Sequence, residues 1–139
     1  WEKVTDCAGQ ALFGVVEARA PKDLFVEGQT GYMAISSCSF KEGKSGSDLA
    51  ENDKAWNAYN DGTGFTGGVY RWWPGPGSAT NIDHDFYLAI GYSSMEQFGK
   101  ARDDRLANMR AGTRPEGILN CDDARVYKTQ NIRLAQAAE

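Results

Sequence analysis

Histidine is scarce in this sequence: His84 is the single one, and the three cysteines include no CxxC pair. A Ser-His or Cys-His triad would have to use His84, and no GxSxG motif accompanies it. Zinc sites need several clustered Cys and His ligands, which this set does not supply. The phosphate-loop pattern is absent too, because "GKS" at 43–45 has no glycine at the required spacing upstream. We therefore expect no metal ion and no cofactor, and a non-catalytic protein more readily than an enzyme.

Long apolar runs and runs of basic residues are also missing. No segment approaches the ~20 apolar residues that a membrane-spanning helix requires. Lys and Arg number 15 against 19 Asp and Glu, a formal charge of −4, so the electrostatic footprint of a nucleic-acid or anionic-membrane partner is lacking. The hydrophobic fraction of 41% is still enough to build a core. A chain of 139 residues then has the size of one globular domain.

The two ends of the sequence are similar to each other. The segment "TDCAGQALFGVVEAR" at 5–19 resembles "LNCDDARVYKTQNIR" at 119–133 when Cys7 is set on Cys121. The aligned pairs are Leu12 with Val126, Phe13 with Tyr127, and Arg19 with Arg133. Similarity at a fixed offset is the signature of duplicated units and predicts a tandem repeat.

On this interpretation residues 1–20 are the last strand of a preceding repeat, 21–30 are a linker, 31–134 are a complete unit and 135–139 are a tail. Any signal peptide would lie upstream, since the chain begins with Trp1. The alternative is that residues 11–18 form an extra edge strand of a single domain. Both interpretations place a strand there and differ in what precedes it.

Hydrophobic periodicity predicts four strands in the complete unit, at 31–40, 65–73, 84–92 and 118–134. Two helices are expected between them. The first should be capped by Ser45 or Ser47, run to about Tyr59 and be stopped by "NDGTG" at 60–64, with a stripe of Leu49, Ala55, Trp56 and Tyr59. The second should begin at a capping box, Ser94 with Gln97 or Ser93 with Glu96, and end at Gly112. Its apolar side would hold Met95, Phe98, Ala101, Leu106 and Met109.

The resulting order is strand, helix, strand, strand, helix, strand, which is the ferredoxin-like split βαβ arrangement. Right-handed crossovers favour the spatial strand order 4-1-3-2. We therefore predict an α+β fold: a ferredoxin-like βαββαβ domain with a four-stranded antiparallel sheet, two helices on one face and an extra N-terminal strand. The other face of such a sheet is bare and needs a partner.

The cysteines fit this arrangement as a disulfide between Cys38 and Cys121. The first and last strands are antiparallel neighbours in the 4-1-3-2 order, and both cysteines fall at the same end of the sheet. Cys7 would then have the same role in the upstream unit, where its partner is missing. The alternative is that all three are buried free thiols of a cytosolic protein.

The segment most suggestive of binding is "YRWWPGPGSATNIDHDFY" at 70–87. On a hairpin, Tyr70, Trp72, His84 and Tyr87 would approach one another and form an amphipathic pocket wall, so they are the candidate ligand-binding residues. His84 is the one candidate catalytic residue, as the titratable group among them. The alternative is that one of Trp72 and Trp73 packs under the helices, that the other packs against the partner sheet, and that "DHD" is a solvated strand start.

The segments "CSFKEGKSGSDLAENDKAWNAYND" and "HDFYLAIGYSSMEQFGKARDD", together with the Cys121 strand, resemble unclassified secreted tandem-repeat proteins of marine bacteria in the dimeric α/β-barrel, ferredoxin-like superfamily. The resemblance covers about residues 31–133. It implies a precursor with a signal peptide, and two sheets packed face to face as a barrel between subunits or repeats. That superfamily includes cofactor-free monooxygenases, haem-dependent enzymes and stress-responsive proteins, but none of its catalytic motifs can be carried over to these residues.

Three functions stay open at this point. The first is a secreted or periplasmic binding module that pairs its bare sheet face with a second repeat or subunit, as a homo-oligomer, and that is able to enclose a small apolar ligand. The second is a cofactor-free enzyme that acts on a small aromatic substrate through His84 and the neighbouring aromatic residues. The third is a structural subunit of an extracellular assembly.

Overall fold

Two α-helices and six strands form an α+β fold in the computed structural model, which describes residues 11–22 and 26–132. The strands are β1 (Phe13–Arg19), β2 (Thr30–Phe40), β3 (Val69–Pro74), β4 (Phe86–Tyr92), β5 (Leu119–Cys121) and β6 (Arg125–Gln130). The helices are α1 (Leu49–Thr63), which follows a 3-10 turn at Gly46–Asp48, and α2 (Met95–Arg110). Within the described ranges, neither helix is both long and apolar enough to cross a membrane.

All six strands belong to one antiparallel sheet. Its order is β1-β3-β4-β2, and β5 and β6 lie one after the other along the remaining edge of β2. The predicted number of four strands, with one extra at the N-terminus, is therefore wrong. The expected last strand is divided between Cys121 and Arg125, where the side chain of Asp122 takes over a backbone role: its Oδ1 accepts from the Ser37 N–H at 2.7 Å.

The first helix starts where serine was expected to cap it and ends later than expected. At the 3-10 turn that leads into α1, the Asp48 carboxylate accepts from the Ser45 N–H at 2.9 Å and the Asp48 N–H donates to the Ser45 carbonyl at 3.1 Å. The helix then continues through Thr63 and ends at Gly64, whose φ of 72° is left-handed and suits glycine. The prediction that "NDGTG" stops the helix at Tyr59 is wrong by about one turn, because Asn60 to Thr63 remain helical and the last glycine provides the stop.

The second helix begins at Ser94, whose Oγ accepts from the Gln97 N–H at 3.1 Å. Its predicted apolar side is only partly used. Phe98 and Ala101 pack against the core, whereas Met95, Leu106 and Met109 are exposed. No residue of α2 is fully buried, so the helix rests on the sheet mainly through its first half.

The sheet has two unlike faces. The helix face carries Ala34, Arg71, Leu88, Ile90 and Tyr92, and the core forms there between the sheet, Phe65 and α2. Asp53 of α1 and Phe98 of α2 both contact this face. The opposite side, which we call the open face, carries Met33, Ile35, Tyr70, Trp72 and Tyr87 in its centre. Period-two alternation along each strand separates the two sets.

Cys38 and Cys121 form a disulfide between β2 and β5, as predicted. The two residues are directly paired in the ladder, and their Cα atoms are 4.1 Å apart. Cys38 is fully buried on the helix face beside Phe86. Cys7 lies outside the described residues, so the expectation about its partner stays a prediction.

Candidate functional site

The four predicted binding residues come together on and beside the open face. Tyr70 and Trp72 point to this side from β3, and Trp72 is directly opposite Tyr87 of β4. The His84 ring lies 4.4 Å from the Tyr87 ring, centroid to centroid. Phe13 of β1 contacts the same tyrosine edge-on at 5.8 Å. The segment 70–87 therefore assembles an aromatic surface, and the N-terminal strand adds to it.

His84 is placed by the loop that precedes β4. Its side chain is 11% exposed, and Nδ1 lies 3.3 Å from the carboxylate of Asp83, while Nε2 is buried without a partner among the described residues. The second flanking acid, Asp85, is engaged elsewhere, because its carboxylate accepts from the Phe40 N–H at 2.8 Å. The His84 ring thus packs against Tyr87 and is largely shielded from bulk water.

A charged residue stands at each end of one cross-strand row on the open face. The row runs Glu17, Tyr70, Ala89, Ile35, Arg125 from β1 to β6. Its three central residues are apolar or aromatic, and its ends carry opposite charges. Burial raises the pKa of Tyr70, and the carboxylate of Glu17 adds to that rise. Arg125 is paired with Asp122 at 3.1 Å and remains largely exposed.

On the other side of the sheet, β1 is attached to α1 through Arg19. This buried guanidinium donates to the Asp61 carboxylate at 2.7 Å and to the Phe65 carbonyl at 2.9 Å. Lys22 donates to the same Asp61 oxygen at 2.7 Å. The hydrogen bonds from Lys22 and Arg19 lower the pKa of Asp61 to about 2. In the alignment of the two ends of the sequence Arg19 corresponds to Arg133, which is outside the described residues.

A cavity of about 610 Å³ lies between the helix face and the two helices. Its walls come from α1, α2, strands β2 to β4 and the segment 114–124. The volume is within the range of small-molecule sites, roughly 300 to 1,000 Å³. None of Tyr70, Trp72, His84 and Tyr87 lines it. The enzyme hypothesis needed these side chains to converge in a closed cavity, and neither of the two described cavities contains them.

The helices turn polar side chains toward this cavity. From α1 the lining residues include Asn52, Asp53, Asn57 and Asn60, and from α2 they include Arg102 and Arg105. A helix that only closes a core would turn apolar residues to the sheet. Here Trp56 of α1 and Phe98 of α2 are the large apolar exceptions. The space under the helices is therefore a polar-walled chamber.

Sequence reasoning missed this chamber, although a signal for it was present. The stripe assigned to α1 followed its apolar residues, yet Ala55 is exposed while Asn52, Asn57 and Asn60 face inward. At 3.6 residues per turn the three asparagines fall within an arc of roughly 140°, which is one side of the helix. Polar residues with helical spacing are usually interpreted as the side of a helix that faces solvent. The pattern alone therefore predicts the wrong orientation for these asparagines.

Among residues 11–22 and 26–132, no group of three or more His, Cys, Asp or Glu side chains is arranged to hold a metal ion. Comparisons with protein families, with curated proteins and with solved structures found no match to this chain. The open face and the cavity are therefore the two features of the molecule that bear on its function.

Proposed function

We propose that this chain is an exported binding module of the ferredoxin-like, dimeric α/β-barrel type, whose open face packs against the open face of a second copy of the same sheet. The second copy is a further repeat or another subunit. In residues 31–130, β2, β3 and β4 are the first, second and third strands, and β5 with β6 is the fourth. Across the sheet these strands lie in the order fourth, first, third, second. This is the order of a ferredoxin-like sheet and supports that assignment.

The observation that carries the proposal is the apolar character of the open face. Val15 is 62% exposed and Tyr127 is 48% exposed, at opposite edges of this face. Between them lie Trp72, Tyr87 and Met33, which are partly exposed. Large contiguous apolar surface on a protein marks an interaction site. Two sheets that pack face to face bury such surfaces against each other.

The charges at the rim favour a second copy as the partner. Glu17 and Arg125 end the same row at opposite edges. A two-fold axis parallel to the strands would place Glu17 of one copy over Arg125 of the other, twice per dimer. Such an isologous contact is self-complementary, with apolar residues in the centre and ion pairs at the rim. A small apolar ligand would be enclosed against Tyr70, Trp72 and Tyr87.

Sedimentation equilibrium of the full chain tests the proposal. Glu17→Arg and Arg125→Glu should each weaken self-association at low salt, because each places like charges together at both rim contacts. The double variant should restore association, since it exchanges the two charges and rebuilds both pairs. Failure of the double variant to associate more tightly than either single variant would contradict the two-fold arrangement.

Two adjacent valines of β1 supply a matched control for the apolar part of the interface. Val15 points to the open face and Val16 to the helix face, and both are well exposed, at 62% and 49%. Val15→Gln should raise the dissociation constant at least about tenfold, because a buried valine contributes about 1.5 kcal/mol. Val16→Gln should leave association unchanged. A wild-type chain that stays monomeric at millimolar concentration would refute self-pairing.

Export is supported by the Cys38–Cys121 disulfide, since such bonds persist mainly in oxidising compartments. Peptide mapping without reduction, on protein isolated from the cells that make it, should recover the Cys38 and Cys121 peptides as one linked species. Recovery of both as free thiols would place the chain in a reducing compartment.

A further inference from the structure

The chamber between the helices and the sheet contains polar atoms that have no partner. Arg71 is 3% exposed, and both of its terminal nitrogens donate to Asp53, but its Nε is buried and unpaired among the described residues. Oδ1 of Asn52, one residue before Asp53, is also buried without a donor. Both residues line the chamber. A buried donor and a buried acceptor left open cost free energy unless something binds them.

The charges around the chamber favour an anion. Lys41, Arg102, Arg105 and Arg114 line it, and none has a carboxylate within ion-pair distance in the part of the chain that the structure describes. The lining also has three carboxylates. Asp53 binds Arg71, Asp122 is hydrogen-bonded to Ser37 and Arg125, and Asp123 remains against the four cations. The net charge of the unpaired groups that line the chamber is therefore positive.

The remaining walls are apolar and aromatic. Val69, Leu88 and Ile90 form a floor on the helix face of the sheet. Arg114 lies over the Trp56 ring, with Cζ 5.4 Å from the ring centroid, and Arg102 lies over Phe98 at 6.0 Å. These stacked guanidinium groups hold their positive charge beside apolar surface. Such walls accept a molecule with an apolar body and one anionic end.

We infer that this chamber binds a small organic carboxylate with an aromatic or aliphatic body. The carboxylate accepts from Arg71 Nε and draws in the cations of α2, the body lies on the Val69–Leu88–Ile90 floor, and a hydroxyl or N–H group of the ligand donates to Asn52 Oδ1. This site is on the opposite side of the sheet from the proposed self-association face, so the two proposals stand or fall separately.

An NMR titration of the full chain, labelled to display backbone amides and arginine Nε–H groups, tests the inference. The probes are indole-3-acetate, which has a carboxylate and an N–H donor, its uncharged analogue indole-3-acetamide, benzoate, and inorganic phosphate. Indole-3-acetate should give a saturable shift of the Arg71 Nε–H signal and of amides that line the chamber. The acetamide and phosphate should each bind at least about tenfold more weakly, because one lacks the charge and the other lacks the apolar body.

Two arginines of α2 provide a matched pair of variants. Arg105 lines the chamber, whereas Arg110 lies one and a half turns further along the same helix and does not. Arg105→Gln should weaken indole-3-acetate binding about three- to tenfold, and Arg110→Gln should leave it unchanged. Equal effects of the two variants, or tighter binding of phosphate than of either organic carboxylate, would overturn the inference. Either result would mean that anions bind to the positive surface in general and not to the chamber. Absence of any saturable shift from indole-3-acetate or benzoate up to about 10 mM would also overturn it.

Discussion

Arg71 on β3 and Asp53 on α1 form a two-point ion pair that ties the helix to the sheet, with Nη1 2.9 Å from one carboxylate oxygen and Nη2 bonded to the other. The side chains are 4% and 22% exposed. Planar bidentate contacts of this kind are strong and directional. Because α1 otherwise turns polar residues to the sheet, this pair is a main contact that fixes its position.

Removing one member of the pair should therefore destabilise the fold strongly. Asp53→Asn leaves the buried Arg71 charge without its counter-charge, and we expect a loss of about 3 kcal/mol in the free energy of unfolding. The double variant Arg71→Met/Asp53→Leu should recover most of this loss, since it removes both charges together. Urea unfolding of the wild type and the variants measures both effects. A cost below about 0.5 kcal/mol for Asp53→Asn would show that the pair behaves like a surface contact.

Removal of the disulfide should cost a comparable amount. Cys38 and Cys121 close a loop with a sequence separation of 83 residues. In the chain-entropy treatment a loop of that length stabilises by about 4.5 kcal/mol. The variant Cys38→Ala/Cys121→Ala should lose roughly that free energy of unfolding relative to the oxidised wild type. Addition of a thiol reductant should bring the wild type close to the variant and leave the variant unaffected.

Acid should weaken the junction between β1 and α1. The pKa of Asp61 is about 2 in the folded chain, against an ordinary value of 3.8, because Lys22 and Arg19 donate to its ionised form. A lowered pKa contributes stability above the unfolded value, and that contribution is lost as the pH falls from about 4 to about 2. Asp61→Asn should therefore flatten the pH dependence of the unfolding midpoint in this window, and Lys22→Met should do so in part. Identical acid profiles of Asp61→Asn and the wild type would contradict this assignment.

The two serines before α2 should differ in their effect on stability. Ser94 Oγ accepts from the Gln97 N–H, whereas the backbone N–H of Ser93 donates to Gln97 Oε1 at 2.8 Å. Ser94→Ala removes the cap and should cost about 1 kcal/mol, while Ser93→Ala keeps its backbone donor and should cost much less. Thermal or urea unfolding distinguishes the two. Equal costs would favour the alternative cap at Ser93.

The order and type of the elements could be predicted because the relevant signals are local. The alternation of Tyr32, Ala34 and Cys38 along β2, and Ser94 before the apolar positions of α2, are patterns that neighbouring residues create by themselves. The division of the last strand could not be predicted, because it depends on the Asp122 carboxylate replacing a backbone acceptor opposite Ser37. That contact joins residues far apart in the sequence.

The candidate sites show the same limit. Tyr70, Trp72 and Tyr87 lie on one side of the sheet, because strand parity and the pairing of β3 with β4 determine their common face. The chamber was missed because its polar groups come from separate elements: Arg71 from β3, Asn52 from α1 and Arg105 from α2. The helical spacing of the α1 asparagines indicates one wall of the chamber, but it does not show which residues of the other elements face that wall. The prediction that the apolar side of α2 packs on the core is wrong for Leu106 and Met109, which are exposed.

The central position of β2 has a consequence for how the chain is made. Thr30 is paired with Gln130, and Phe40 with Leu119. One edge of β2 therefore stays unpaired until residues 119–130 have been synthesised. At ordinary elongation rates that interval is roughly five to twenty seconds. Throughout it, a nascent chain displays an eleven-residue strand with free amide and carbonyl groups along that edge. A holdase that shields this edge during synthesis would raise the yield of native protein more than one that acts on the finished chain.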